Sequence, residues 1–425
     1  MIFMVPVAPF GTYGYIAGAA KGMVPLAYVI AMGAMLFTAL SYARMSEAFP
    51  VAGSVYAYAQ RGISAPVGFL AGWAVLLDYI LIPSLFYVIS GAALSELVPF
   101  IPIWGWVIIF VTINTVVNVL GIEFSAKMNK IILFGQFAVL AIFIVMGVIA
   151  LYHGAGNGGL TGKPFYDPSN FRLSQVMLAT AIAVQGYLGF DAISTLSEEV
   201  KGGNKVVGKA TIFSLLFMGG LFIAQTWVSA DLASGIKFNN LDTAFYQIAG
   251  VAGGTWLKNL TIVTVAISWA IASAITAQSA TARILYSMGR DKKLPALFAK
   301  IHPKFKTPYV SAIFVGIVSI IVGLIFQSQI DLLTTIVNFG ALTGFLLLHV
   351  SVISHYTIRN KSKHYFKDLI SPIIGFAVIA YVIKGMDPTA FKLGITWLGI
   401  GFVYLLILSR LQKKGNITNS NINAS

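Results

Sequence analysis

Cysteine is absent from all 425 residues, so disulfides and thiolate-held metals or clusters are excluded. Charge is scarce. Asp, Glu, Lys and Arg make up 10% of the chain, where a soluble domain carries roughly a quarter. Hydrophobic residues make up 58%, so too few polar side chains exist to cover a water-facing surface. Lipid is the solvent that such a chain fits. Acid is the scarcer sign, with 14 Asp and Glu against 28 Lys and Arg, for a net charge of +14. In a soluble protein that excess would point to nucleic acid. In a membrane protein, basic residues collect in cytoplasmic loops, and no nucleic-acid partner is expected. No His/Glu cluster has metal spacing and no Gly-x-Ser-x-Gly elbow occurs, so neither an enzyme nor a metal or other cofactor is expected. Gly203–Ala210 nearly fits a phosphate loop, but Ala210 stands where Ser or Thr must hold Mg²⁺. No basic segment precedes the apolar run from Ile2 to Ala20, so a signal peptide is not expected. The chain reads as starting inside its first helix, with the inner part of that helix truncated.

What is present is a series of continuous apolar runs. They fall at about 2–20, 24–46, 66–97, 101–120, 129–152, 174–197, 208–230, 256–287, 308–327, 330–356, 369–386 and 391–410, most near the ~20 residues that cross a bilayer as helix. The fold class is therefore an all-α membrane protein of about 12 transmembrane helices. Barrel strands would alternate in short segments instead. With the start placed in the cytoplasm, 21 of the 28 Lys and Arg lie in inner loops and 7 in outer ones. That bias puts both termini inside. The Asn/Ser-rich residues 411–425 read as a disordered cytoplasmic tail.

Two runs carry matching interruptions. The first holds Pro6, Pro9, Gly11, Thr12 and Gly14, and the sixth holds Gln185, Gly186, Tyr187, Gly189, Phe190 and Asp191. Paired Gly/Pro breaks in corresponding spans mark the midplane site of inverted-repeat transporters. The breaks lie five spans apart, and an odd number of spans turns the second copy over. The first repeat would cover residues 1–152 and the second 174–356, with two further helices over 369–410. An unwound turn offers N–H groups to a carboxylate and carbonyls to an ammonium. The alternative is that these glycines only allow close helix packing.

Ionisable groups in hydrocarbon are costly and need a reason. Asp78 lies well inside the third span, where it fits an amine partner, a proton carrier, or a structural acid. Asp191 follows the sixth-span break and fits a ligand contact or a helix cap. Glu198 and Glu199 fit a gate with basic loops near Arg44 or Arg283, or a solvated helix end. Asn114 and Asn118, four apart, suit interhelical hydrogen bonds. The hydroxyls from Ser268 to Thr281 fit either a Na⁺ site or packing, and Na⁺ is the less favoured coupling ion.

Beyond these readings, Phe49–Tyr58 with Gly68–Trp73, Gly186–Asp191 running into Ser197-Glu198-Glu199, and Ser279–Asp291 with His302-Pro303 resemble the signature of the amino acid–polyamine–organocation permeases. Leu76–Tyr79 and Asn338–Leu342 resemble its bacterial putrescine-importer branch. The resemblance covers nearly the whole chain. It implies the leucine-transporter-type fold, five plus five helices in inverted repeat with two extra C-terminal ones. It implies substrate held between the first and sixth spans, lining from the third and eighth, and proton-driven import. Two departures stand out: Gly11 where that branch tends to carry an acid, and Gln136 where some proton-coupled relatives carry lysine. The expected activity is import of amino acids or amines, including polyamines, across the plasma membrane by alternating access. The substrate contacts would be Pro9, Gly11, Thr12, Gly14, Asp78, Gly186, Tyr187, Gly189, Phe190 and Asp191, with Glu198 and Glu199 as gate. An exchanger of the same fold and a non-transporting sensor are the alternatives.

Overall fold

The computed structural model describes residues 4–49, 54–121, 126–191, 193, 204–290 and 294–422. Among them the regular elements are helical. In order they are α1 (Ala8–Ala19), α2 (Val24–Ala48), α3 (Ser54–Gly62), α4 (Ala65–Leu97), α5 (Ile103–Leu120), α6 (Ala126–Tyr152), α7 (Leu173–Ala183), α8 (Asn204–Leu232), α9 (Ala244–Ala266), α10 (Ala274–Arg290), α11 (Tyr309–Phe326), α12 (Ile330–Val352), α13 (Ser371–Lys384) and α14 (Pro388–Ile422). Proline opens α1, α2, α4 and α13 in their first turn. There its missing N–H costs nothing, because first-turn donors have no intrahelical acceptor.

Ten helical segments among the described residues are long and apolar enough to cross a membrane, and each coincides with one of the apolar runs. The longest runs from Leu241 to Arg290, 50 residues. It is divided at Gly253 and Gly254, where Gly254 has φ 72° and ψ −169°. Its crossing part thus starts near residue 256, as the apolar run does. A π-helical stretch at Ile267–Ser273 joins α9 to α10. The other two expected spans, first and sixth, are the two in which internal breaks are expected. Here α1 has 12 residues and α7 has 11. At 1.5 Å per residue a dozen residues reach about 18 Å, short of the ~30 Å hydrocarbon core. One end departs from expectation: α14 is helical to Ile422, past residue 410, and no proline follows to stop it.

Inside the bundle, α2 packs along α8, and α4 along α12. Glycine permits the second pairing. A Cβ built on Gly340 of α12 would lie 2.8 Å from the Ala74 carbonyl oxygen of α4. The last helix is clasped to α4 by reciprocal indole bonds. Trp73 Nε1 donates to the Trp397 carbonyl at 2.9 Å, Trp397 Nε1 donates to the Trp73 carbonyl at 2.8 Å, and the rings stack at 4.8 Å. Large apolar side chains such as Phe213, Ile317, Ile325 and Phe402 point outward. Exposed apolar surface on this scale is what lipid covers.

Candidate functional site

The two interrupted spans meet. The helix α1 begins only at Ala8, and no side chain caps its start. Just before it, the Pro6 carbonyl accepts a hydrogen bond from Gln225 Nε2 of α8 at 3.1 Å. On the other side, α7 ends at Ala183 and tightens into a 3₁₀ turn over Val184–Tyr187. The chain then runs extended at Leu188 (ψ 142°) and turns at Gly189, whose φ of 105° suits glycine. A Cβ on Gly186 would lie 3.6 Å from Ala8 Cβ, so the turn at Gly186 lies against the start of α1. The Tyr187 hydroxyl donates to the Tyr28 carbonyl at 2.8 Å. Asp191 Oδ1 accepts from the Gly189 N–H at 3.3 Å.

The second break falls where the residues predicted it, and the first overlaps its predicted stretch only at Pro6 and Val7. Gly11, Thr12 and Gly14 lie inside α1, with helical backbone, and Pro9 sits in its first turn. The unwound part is Met4–Val7. The reason is packing. A Cβ on Gly14 would lie 2.2 Å from the Leu241 carbonyl oxygen, and one on Gly11 would lie 2.6 Å from Ile89 Cγ2. These glycines let neighbouring chain approach α1, and the helix does not need to open for that. The N–H groups expected at Gly11–Gly14 are therefore committed within the helix, and at its start the Ala8 N–H donates to the Val5 carbonyl at 2.9 Å and the Phe10 N–H to the Val7 carbonyl at 3.0 Å.

Asp78 faces the same region from α4. It lies within electrostatic range of Asp191, as does Tyr79. Asp78 Oδ1 is buried and has no hydrogen-bond partner among the described residues. The same holds for Gln185 Oε1 in the break and Gln225 Oε1 beside it. Asn338 Nδ2 of α12 donates to the Ala181 carbonyl at 2.6 Å, which fixes the last turn before the break. Glu198 and Glu199 lie outside the described residues. Arg44, one of the two expected basic partners, pairs among the described residues with Asp368 at 2.7 Å and Glu47 at 2.9 Å.

Aromatic side chains close the space on both sides of the breaks. Toward the C-terminal end of α1, Phe10 stacks on Phe245 at 3.8 Å and meets Phe143 edge-on at 5.7 Å. Toward the other side, Phe190 meets Tyr42 and Phe345, each at 5.8 Å. Beyond the first layer opens a cavity of about 320 Å³, bordered by Tyr13, Lys21 and Lys163.

A model of the amino acid permease family matches residues 1–425. The chain belongs to this family. The permease is 32% identical over 417 residues to the low-affinity putrescine importer PlaP of Escherichia coli, across 96% of this chain and 91% of that protein. It is 28% identical over 414 residues to the branched-chain amino acid permease BcaP of Bacillus subtilis, across 92% and 86%. It is 26% identical over 421 residues to a methylthioribose transporter of Bacillus subtilis, across 91% and 85%. These are transporters and permeases by name, not enzymes, and the permease is a multi-pass membrane protein.

Next to the breaks the permease carries a contrasting polar cluster. The Tyr87 hydroxyl donates to Gln278 Oε1 at 2.9 Å, and Asn114 Nδ2 donates to the Tyr87 hydroxyl at 2.9 Å and to the Ala270 carbonyl at 2.6 Å. Gln278 Nε2 donates to Thr115 Oγ1 at 2.8 Å. The interhelical role expected of Asn114 is therefore met: it reaches a carbonyl in the π-helical stretch, where regular bonding is interrupted. Two hydroxyls of α10 are taken up by backbone carbonyls. Thr276 donates to the Ala272 carbonyl, and Thr281 to the Tyr79 and Ala277 carbonyls.

Sequence reasoning passed over Phe10, Phe245 and Gln225. For Gln225 a signal existed, since a lone amide in the apolar stretch Phe222-Ile223-Ala224-Gln225 needs a partner in lipid. For the two phenylalanines none did, because 30 phenylalanines are spread through the chain.

Proposed function

We propose that the permease imports amino acids or amines across the plasma membrane by alternating access, driven by the proton gradient, with both termini in the cytoplasm. The observation that carries this reading is the contact of the turn at Gly186 with the start of α1 at Ala8, with buried unpartnered oxygens of Asp78, Gln185 and Gln225 about them. Broken helices meeting inside a bundle supply N–H and carbonyl groups without strand or loop partners. The substrate's ammonium is held by carbonyls of Gly186–Gly189, with Asp78 and Asp191 nearby. Its carboxylate, if present, is drawn to the positive dipole end of α1 near Ala8, against a wall formed by Pro9, Gly11, Thr12 and Gly14. Tyr187 and Phe190 close over it, and Glu198 and Glu199 gate the inner side. Residues 1–152 and 174–356 are the two inverted halves that rock against each other, with 369–410 peripheral. The coupling proton is carried within this site, not by Gln136, whose amide does not titrate.

Gly11 leaves the first span without the acid that a diamine's second ammonium calls for. That favours an amino acid or monoamine. Uptake into proteoliposomes tests the whole reading. Radiolabelled putrescine and an amino-acid panel that includes L-leucine are offered with and without an inward proton gradient. Gradient-stimulated uptake of an amino acid or amine is the expected result. Uptake that ignores the gradient and appears only as exchange would replace import with antiport. Transport of none of them would remove the reading.

A further inference from the structure

Beyond Val352 the chain that follows α12 forms a corner at the end of the bundle that the basic-residue bias places inside. It is π-helical over Ile353–Arg359 and again over Phe366–Ile370, a geometry rare outside functional stretches. The corner grips the first half of the chain at two points. Arg359 donates to the Arg61 and Ile63 carbonyls at the end of α3, at 2.9 and 2.5 Å. Asp368, 1% exposed, accepts from Arg44 Nε of α2 at 2.7 Å and from the Ser362 hydroxyl at 2.6 Å. The Arg44 guanidinium lies 4.1 Å over the Tyr356 ring, and the Tyr356 hydroxyl donates to the Arg44 carbonyl at 2.9 Å. Together these contacts brace the inner end of α2, the helix whose Tyr28 carbonyl takes the Tyr187 hydroxyl at the second break.

A titratable ring is built into this brace. His355 is half-buried and packs between Phe49, with ring centroids 4.7 Å apart, and Tyr356, at 4.8 Å. Asn360 Nδ2 lies 3.1 Å from its Nε2, a contact that needs the bare nitrogen of a neutral ring. Five charged groups surround it among the described residues. They are Arg44 and Glu47 of α2, Arg61 of α3 (5.7 Å over the Phe49 ring), Arg359 on its own stretch, and Asp368. Lys361, Lys363 and Lys367 stand exposed on the same loop. Both acids are already taken up by Arg44, at 2.7 and 2.9 Å. A proton on His355 therefore adds a cation to an excess of cations, and it removes the Asn360 contact.

We infer that His355 makes this brace a sensor of cytoplasmic pH: with a neutral ring the corner holds α2, and with a protonated ring it lets go. The inference goes beyond the import reading and takes from it only that the corner faces the cytoplasm. Imidazole is the side chain whose charge changes near pH 6.5. The closed corner holds the neutral form, so the brace is whole above that range and weakens as pH falls through it. Release frees the inner end of α2, and internal acid thereby changes how readily the seam beside the second break moves.

The chain has no cysteine, so one introduced thiol reports on the corner. Ser371, three residues after Asp368, is 2% exposed, and its hydroxyl has no partner among the described residues, so Ser371→Cys disturbs little. The full chain in detergent micelles is treated with a maleimide. Its rate is divided by that of the same protein unfolded in dodecyl sulfate at the same pH, which cancels the titration of the thiol itself. From pH about 7.5 to about 5.5 the relative rate should rise toward about tenfold. That is the limit for a ring that takes a proton with ordinary affinity in the open corner and none in the closed one. With His355→Gln added, labelling should be slow and flat with pH. With Arg44→Gln added, the brace is broken directly and labelling should be fast at every pH. Arg44→Lys, which keeps the charge without the fork, should label at an intermediate rate and stands in if the glutamine variant does not fold. A flat rate in the Ser371→Cys chain overturns the inference, as does an unchanged rise with His355→Gln or slow labelling with the Arg44 variants. Transport enters none of these measurements, so the import reading stands or falls separately.

Discussion

Two polar regions lie side by side in this permease and are built in opposite ways. In the cluster between α4, α5 and α10, Tyr87, Asn114, Thr115 and Gln278 bond one another, and Asn114 Oδ1 alone of the two amides' four polar atoms lacks a partner among the described residues. Around the breaks, Asp78, Gln185 and Gln225 each keep a buried oxygen unpartnered, and backbone leaves the helix at Met4–Val7 and Leu188–Gly189. In lipid no water is at hand to satisfy such groups. The first arrangement fixes helices relative to one another. On the proposed reading, the second leaves acceptors for a ligand, and backbone that can rotate. A transporter needs both, a frame that keeps its shape and a seam that does not.

Substitutions can separate the two. The largest effect is expected at Gly186, where a side chain would meet Phe222 at 3.3 Å, Tyr28 at 3.4 Å and Ala8 at 3.6 Å. Gly186→Leu should abolish uptake while the protein still purifies folded, since overpacking costs only about 1–3 kcal/mol. Measurable transport by that variant would show that the turn and the start of α1 need not touch. Next, Asp78→Asn should lower Vmax or raise KM by about tenfold or more, with a thermal unfolding midpoint in detergent equal to or above wild type, because a costly buried acid is removed. A fall in midpoint with normal transport would move Asp78 to the structural side. Third, Asn114→Ala should do the reverse. It loses two interhelical bonds, worth roughly 0.6–1.7 kcal/mol each in a membrane, so the midpoint should drop with KM unchanged. A changed KM would merge the two regions into one. Smallest, Gln225→Leu frees the Pro6 carbonyl and should shift KM by about twofold to fivefold with little change in midpoint, as one net hydrogen bond of about 1 kcal/mol implies.

The comparison also marks what could be read early. Asn114 was legible as a hydrogen-bonding residue because an amide in an apolar run has few other uses. Its partners were not, since Tyr87 and Ala270 lie 27 and 156 residues away. The sixth-span break was legible because Gly189 supplies the positive φ that the turn uses. The first was drawn too far, on past Val7 to Gly14, since glycine serves an open turn and a close contact equally well. Only the nearness of Leu241 to Gly14 tells the two apart.

From the sequence alone followed the membrane as solvent, the ten long helices to within a few residues, and the two spans whose described helices are too short to cross. Those are local properties: about 20 apolar residues favour lipid wherever they stand, and Gly and Pro act on their own backbone. Only the tertiary structure decided where α1 begins, that Gln225 reaches Pro6 across 219 positions, and that Tyr13 lies beside Lys21 and Lys163. A helix apolar on nearly every side carries no mark of which face meets which neighbour. Those contacts are set by the packing of all the helices together.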